Sequence, residues 1–170
     1  GALQLICGSA GDLLDHVDSQ DVVTFTGSAS TGRMLKSKDS IINNSVPFNM
    51  EADSLNSSIL GPDAVPGTPE FDLFVKEVAK EITVKCGQKC TAIRRIMVPE
   101  NLVEDVQIAV GQRLEKTTIG NPTQEGVRMG ALAGLDQMRE VKEQVALLMK
   151  EADIVFGNLD PVDAIGADGN

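Results

Sequence analysis

The sequence contains no tryptophan and no tyrosine, and its five phenylalanines are the only aromatic residues besides one histidine. Few side chains are therefore available for nucleobases to stack on, and a net charge of −10 repels a phosphate backbone. We expect no nucleic-acid partner. The chain also lacks any run of about 18 or more apolar residues, which a membrane-spanning helix requires, so we expect no membrane segment.

Cysteine and histidine are scarce, with three and one respectively in 170 residues. No secretory signal is recognisable, and three cysteines do not make a disulfide framework, so we expect reduced thiols and a cytoplasmic protein. Cys86 and Cys90 are four residues apart, but zinc usually takes three or four protein ligands, and His16 is the only histidine. We therefore predict no metal site.

The composition that remains is typical of a globular protein, with 42% apolar and 24% charged residues. Strand and helix patterns alternate along the chain, which predicts an α/β fold. The first residues are apolar and lack an initiating methionine, so we expect a piece of a longer polypeptide. The patterns predict strands at 3–7, 21–26, 93–98 and 154–156. They predict helices at 30–36, from Pro69 until Gly87 stops the helix, at 102–116, and after an Asp136 cap.

One cysteine, Cys90, stands in a short polar loop between a predicted helix and a predicted strand. A thiol is intrinsically nucleophilic and needs only modest help from a base or a helix dipole. Cys90 is therefore the candidate nucleophile. A cysteine acyltransferase or hydrolase is an alternative, but it should use a histidine partner, and His16 has no supporting motif. A non-catalytic interaction module is the other alternative.

Two further segments carry polar groups suited to a binding site. Phe-Thr-Gly-Ser at 25–28 joins a strand to a helix start, where backbone amides and the Ser28 hydroxyl can hold a phosphate. The segment matches neither a P-loop nor G-x-G-x-x-G, so an ordinary strand-to-helix turn is the commoner interpretation. Glu51 follows an extended run and is a candidate base, although most glutamates are solvated surface groups.

Taken together, these motifs resemble the aldehyde dehydrogenase superfamily. Phe-Thr-Gly-Ser at 25–28, Glu51 and Gly-Gln-Lys-Cys at 87–90 follow one another in the family's order. The wording of 50–56 and 87–95 is similar to the branch that contains the dehydrogenase part of the PaaZ-type bifunctional protein of phenylacetate degradation. The semialdehyde dehydrogenase of aerobic benzoyl-CoA breakdown is an equally open alternative within that branch.

The resemblance implies a function and its residues. Cys90 would attack an aldehyde to form a thiohemiacetal and then a thioester, and Glu51 would activate the water that releases the carboxylic acid. Thr26, Gly27 and Ser28 would line the pyrophosphate of NADP, with NAD as the alternative. The substrate would be a small-molecule aldehyde, specifically a CoA-linked semialdehyde, and the full-length parent would form a homo-oligomer.

The resemblance also implies a division of the chain. Residues 1–52 would be the trailing part of an NAD(P)-binding domain, and 53–170 a truncated, three-layer α/β catalytic domain that bears the nucleophile. The asparagine that completes the family's oxyanion hole and the later glutamate that holds the nicotinamide ribose are not in this sequence. We therefore expect the 170-residue chain alone to be inactive.

Overall fold

The chain forms two compact units, Gly1–Ser54 and Leu55–Asn170, in a computed structural model that describes residues 1–167. Both units combine helices with parallel strands, which confirms the predicted α/β class. The assignment of 1–52 to a nucleotide-binding domain and of 53–170 to a catalytic domain stays a prediction. The last three residues of that second range lie outside the described residues.

The first unit is built on a pair of parallel strands. Its elements in chain order are a 3₁₀ helix at Leu13–His16, β1 at Val23–Gly27, α1 at Ala29–Lys36, α2 at Asp39–Asn43 and β2 at Phe48–Ala52. The register runs from Val23 opposite Phe48 to Gly27 opposite Ala52. Because the pairing is parallel, the carboxyl ends of β1 and β2 meet at one edge of this sheet.

Helix α1 begins directly after β1 and packs on the strands through a glycine. Ser28 is the N-cap, since its backbone is extended and its hydroxyl accepts a hydrogen bond from the Thr31 amide. Gly32 is buried, and a Cβ there would lie 2.4 Å from Met50 Sδ and 3.1 Å from the Phe25 ring. Only a glycine lets the helix approach the sheet this closely.

The second unit also contains one pair of parallel strands. Its elements are β3 at Ser57–Ile59, α3 at Pro69–Thr83, a 3₁₀ helix at Val84–Gly87, β4 at Arg95–Met97, a 3₁₀ helix at Glu100–Leu102, α4 at Val103–Leu114 and α5 at Leu135–Leu148. Strands β3 and β4 pair with Ser57 opposite Arg95. Helix α3 makes the crossover between them.

The core of the second unit lies between α3 and α4. Thr68 caps α3 by accepting a hydrogen bond from the Phe71 amide, and Pro69 occupies the first helical position, as the sequence predicts. Val78, at the centre of the apolar stripe of α3, is fully buried. The buried cluster comprises Leu60, Ala64, Phe71, Val75, Val78, Leu102, Val106 and Val110.

Two predicted strands are absent from the described residues. Residues 3–7 form no strand, and the side chains of Leu3 and Leu5 are 93% and 88% exposed. Residues 154–156 form none either, and Val155 is 65% exposed. An apolar run becomes a strand only where another strand satisfies its backbone groups, and in residues 1–167 neither run has such a partner.

Two helix boundaries differ from those predicted. Helix α3 ends at Thr83 and does not run on to the predicted stop at Gly87, because Lys85 and Cys86 adopt left-handed backbone angles with φ of 54° and 53°. Helix α5 begins at Leu135 with Gly134 as its cap, so Asp136 lies in the first turn, where its negative charge complements the positive end of the helix dipole. No helix within residues 1–167 is both long enough and apolar enough to cross a bilayer.

Candidate active site

The candidate nucleophile lies on a solvent-exposed turn of the second unit. The turn is closed by a hydrogen bond of 3.2 Å from the Ala92 amide to the Lys89 carbonyl, which makes Cys90 and Thr91 its two central residues. The predicted loop between a helix and a strand is therefore present. It runs from the 3₁₀ helix at Val84–Gly87, which follows α3, to the start of β4. An exposed thiol on a turn is accessible to a carbonyl compound.

Asn56, which precedes β3, holds this turn by its side chain. Its Nδ2 donates to the Cys90 carbonyl at 2.6 Å and to the Ala92 carbonyl at 3.0 Å. Its own carbonyl accepts the amides of Arg94 and Arg95 at 2.8 and 3.1 Å. Asn56 thus connects the turn to the start of the β3–β4 ladder.

Charged side chains hold the residues that precede Cys90. The Arg94 guanidinium donates to the Gly87 carbonyl at 2.8 Å and reaches the Lys89 carbonyl at 3.4 Å. Lys89 forms an ion pair of 2.7 Å with Glu81 of α3, and the two side chains are only 22% and 16% exposed. The second carboxylate oxygen of Glu81 is buried and has no hydrogen-bond partner among the described residues. The loop is thereby tied to the core helix.

The backbone before the turn is strained. Lys85 and Cys86 are consecutive non-glycine residues with positive φ, a conformation that costs energy and that clusters at functional sites. Gln88 braces the same stretch, because its Nε2 donates to the Lys85 carbonyl and its Oε1 accepts the Ala133 amide. The surrounding contacts keep the strained conformation in place.

Cys86 differs from Cys90 in its surroundings. Its Sγ donates to the Gly130 carbonyl at 2.8 Å, and burial raises the pKa of the Cys86 thiol above its usual value. The thiol lines a cavity of about 480 Å³ together with apolar residues that include Met129, Leu132 and Met138. A half-buried thiol with a raised pKa is a poor nucleophile at neutral pH.

The candidate base and the candidate phosphate segment lie together at the strand-end edge of the first unit. Glu51 is the register partner of Thr26, one position before the end of each strand, and Gly27 pairs with Ala52. Both Glu51 and Thr26 are exposed. Ligands of parallel sheets bind at the carboxyl ends of the strands, so this edge is a suitable place for them.

Hydroxyl and amide donors surround the start of α1. The Ser28 hydroxyl lies 3.0 Å from that of Ser30 and 2.9 Å from that of Thr31. The Ser30 amide has no acceptor within residues 1–167. Asp53, with a positive φ of 56°, places its carboxylate 3.3 Å from the Ala29 amide. A carboxylate of the chain itself therefore occupies one amide at the positive end of α1.

His16 does not contribute to either cluster. It is exposed, and its Nε2 lies 3.2 Å from Asp12 Oδ2, a hydrogen bond that lowers the pKa of Asp12. No group of three or more histidine, cysteine or acidic residues suited to a metal ion is found in residues 1–167.

Sequence reasoning missed three residues of these clusters, Asn56, Arg94 and Asp53. Asn56 lies in segment 50–56 and Arg94 in segment 87–95, the two segments that carry the resemblance to the family. For Arg94, the sequence pattern alone predicts no more than a surface role. The signal that points to Asn56 is an asparagine immediately before a strand, where its amide can reach neighbouring carbonyls. For Asp53 the signal is a residue type that tolerates positive φ directly after a strand.

Comparison with known proteins now decides the family. Residues 1–169 match the model of the aldehyde dehydrogenase family. The chain belongs to this family. A curated relative that is 51% identical over the aligned residues indicates the branch of the family to which this chain is similar.

That relative is the 3,4-dehydroadipyl-CoA semialdehyde dehydrogenase of Aromatoleum evansii, which is 51% identical over 170 residues, or 98% of this chain and 33% of the relative. A 1-pyrroline-5-carboxylate dehydrogenase of Oceanobacillus iheyensis is 27% identical over 92% of this chain and 31% of its own length. The chain thus spans about a third of the curated relatives it matches.

Solved structures agree in fold. A mutant of aldehyde dehydrogenase C from Pseudomonas syringae, in complex with NAD+ and octanal, superposes with a TM-score of 0.73 at 23% identity over 84% of this chain and 28% of its own. An aldehyde dehydrogenase from Bartonella henselae gives a TM-score of 0.73 at 18% identity over 86% of this chain and 29% of its own.

Proposed function

We propose that this chain carries the nucleophile and the base of an NAD(P)-dependent dehydrogenase that oxidises a CoA-linked semialdehyde to the carboxylic acid. The observation that carries the chemistry is the exposed Cys90 thiol on a turn that is held by Asn56, by Arg94 and by the Lys89–Glu81 ion pair. The substrate class is supported by the 51% identity to a CoA-semialdehyde dehydrogenase over nearly the whole chain.

The first half-reaction takes place on Cys90. Its thiolate sulfur attacks the aldehyde carbon, the new C–S bond forms, and the carbonyl electron pair moves to oxygen to give a thiohemiacetal. Bound NAD(P)+ supplies the acceptor for the hydride that leaves this carbon. When the carbonyl re-forms, a thioester on Cys90 remains.

In the second half-reaction, Glu51 acts as the general base. The carboxylate accepts a proton from water as the water oxygen attacks the thioester carbon. The C–S bond then breaks, the electron pair returns to the sulfur, and the carboxylic acid is released. The presence of a glutamate at this motif position favours hydrolysis over transfer to a CoA thiol.

The cofactor is assigned to the start of α1. The Ser28 hydroxyl, with the Ser30 amide and the neighbouring hydroxyls, is a donor set that fits phosphate oxygens at a positive helix end. Thr26 and Gly27 precede it at the end of β1. NADP is our proposal for this chain from the branch it resembles, whereas the relative from Pseudomonas syringae was solved with NAD+.

The setting proposed for the parent protein follows the same resemblance. We place it in phenylacetate degradation, with aerobic benzoyl-CoA breakdown as the alternative, because both routes involve a CoA-linked semialdehyde dehydrogenase. We propose that the parent is a cytoplasmic homo-oligomer.

A chimera tests the proposal. Residues 1–170 replace the aligned third of the Aromatoleum evansii enzyme, and reduced cofactor is measured with the CoA-linked semialdehyde. We expect turnover, at least a thousandfold loss in the Cys90→Ala chimera because no covalent path remains, and no such loss in the matched Cys86→Ala chimera. The Glu51→Gln chimera should accumulate an acyl adduct on Cys90, detected by mass spectrometry.

The isolated chain serves as the negative control, because one oxyanion donor is typically worth about 10² to 10³ in rate and the family's other cofactor residues are not in this sequence. It should form no reduced cofactor with the aldehyde. An active Cys90→Ala chimera, or an adduct on Cys86 in place of Cys90, would contradict the proposal.

A further inference from the structure

The turn at Cys90 presents two unused backbone donors. Within residues 1–167 neither the Cys90 amide nor the Thr91 amide donates a hydrogen bond, although the neighbouring amides of Lys89 and Ala92 both do. The central amides of such a turn point outward, and adjacent free amides form a concave site for a negatively charged oxygen.

The carbonyls of the same two peptide groups are, by contrast, both bonded. The Lys89 carbonyl accepts from the Ala92 amide at 3.2 Å, and the Cys90 carbonyl accepts from Asn56 Nδ2 at 2.6 Å. A trans peptide is planar, with its N–H directed opposite its C=O. The Cys90 amide therefore points away from the Ala92 amide that bonds the Lys89 carbonyl, and the Thr91 amide points away from the Asn56 side chain that bonds the Cys90 carbonyl.

Asn56 is suited to hold the second of these peptide groups. Both partners of its side chain are carbonyl oxygens, so the side-chain nitrogen must face them. Its backbone is fixed in turn by the amides of Arg94 and Arg95. If the side chain were absent, only solvent would hold the Cys90 carbonyl, and the 90–91 peptide group would be free to rotate.

We infer that Asn56 is a positioning residue that keeps the Cys90 and Thr91 amides free and aimed at the oxygen of a carbonyl compound attacked by the thiol. The inference rests on the proposed function in taking Cys90 as the nucleophile. It adds a residue that never touches the substrate and that acts through the orientation of the turn.

Two alkylating reagents of similar size test this role in the 170-residue chain. Iodoacetate is an anion whose carboxylate can accept from the two amides, whereas iodoacetamide is neutral. The rate of each reagent at Cys90 and at exposed Cys7 is followed by peptide mass spectrometry at neutral pH. At each cysteine, the rate with iodoacetate is divided by the rate with iodoacetamide. The value at Cys90 is then divided by the value at Cys7. This normalised ratio measures anion recognition by the turn and corrects for the repulsion due to the net charge.

In Asn56→Ala we expect this normalised ratio to fall by about threefold to tenfold, the factor that corresponds to one hydrogen bond in water. Asn56→Leu keeps the branched shape of the side chain but removes the donor without adding a charge, and should lower the ratio at least as much. The matched control is Asn44→Ala, because Asn44 Nδ2 also donates to a backbone carbonyl, that of Val17 at 2.8 Å, in the other unit. The control should leave the ratio unchanged.

A ratio that stays unchanged in folded Asn56→Ala would overturn the inference, as would an equal fall in Asn44→Ala. If both Asn56 variants unfold, solvent exchange of the Asn56 side-chain amide protons is measured in the unchanged chain. Slow exchange supports the positioning role, and exchange as fast as in an unfolded chain overturns it. A separate result bears on the proposed function. If Cys90 reacts with iodoacetamide no faster than Cys7, the nucleophile loses support, while the change in ratio between the unchanged chain and Asn56→Ala still decides the role of Asn56.

Discussion

The turn that carries Cys90 and the strand end that carries Glu51 are held by different means. Around Cys90, side chains from distant positions bond to backbone carbonyls, and a core helix anchors the loop through Lys89 and Glu81. Glu51 is held by backbone pairing with β1 and by the close packing of α1. The first arrangement depends on particular side chains, and the second on the space left by a glycine.

The largest expected effect comes from removing a side chain from the core of the second unit. Phe71 of α3 is 4% exposed, and Phe71→Ala should lower the free energy of unfolding by about 3–5 kcal/mol through lost burial and a cavity. Leu73→Ala is the control on the same helix, since Leu73 is 57% exposed, and it should change stability by no more than about 0.5 kcal/mol. Circular dichroism in urea is the suitable measurement, because the chain has no tryptophan. Equal effects of the two variants would refute the packing described for α3.

A smaller effect is expected where the packing rests on a glycine. In Gly32→Ala the new Cβ would lie 2.4 Å from Met50 Sδ, so α1 must move from the sheet or Met50 must shift, at a cost of about 1–3 kcal/mol in the free energy of unfolding. Gly134→Ala is the steric control, because nothing lies within 4 Å of a Cβ at that position; as Gly134 caps α5, it should cost no more than about 1 kcal/mol and should leave the β2 resonances unchanged. A shift of the amide resonances of β2 in Gly32→Ala should accompany the loss. Full stability with unchanged β2 resonances would show that α1 does not need this glycine.

The smallest effect concerns the thiol that precedes the turn. Burial raises the pKa of Cys86, so above the ordinary thiol range of about 8.5 the unfolded chain releases a proton that the folded chain keeps. The folded state then binds more protons, and stability must fall as the pH rises through that range. Cys86→Ala should make this alkaline decline shallower, whereas Cys7→Ala, at an exposed thiol, should not. Denaturant midpoints measured at neutral pH and above the thiol range would give the slopes, and parallel slopes in all three proteins would contradict the prediction.

Local chemistry made much of the fold predictable from the sequence. The Thr68-Pro69 start of α3 and the strand before Gly27 were correct because caps, proline and β-branched runs act over a few residues. Residues 3–7 and 154–156 failed because a strand also needs a partner, which a local pattern does not supply.

The candidate site was predictable only as far as its motifs. Cys90 was correctly placed on a loop, and its roles and those of Glu51, Thr26, Gly27 and Ser28 stay predictions. The hydrogen bonds of Asn56 to the turn join residues 34 and 36 positions apart, and no periodicity reports contacts at that range. The left-handed angles of Lys85 and Cys86 were missed because neither residue type favours them.

The parallel pairing of β3 with β4 affects how the turn that carries Cys90 is held in place. Parallel neighbours cannot be joined by a hairpin, so the chain must cross over through α3 before β4 can lie beside β3. Asn56 stands at the first strand of this crossover and Cys90 just before the second. The hydrogen bonds from Asn56 to the turn therefore depend on the same long-range crossover that brings the two strands together.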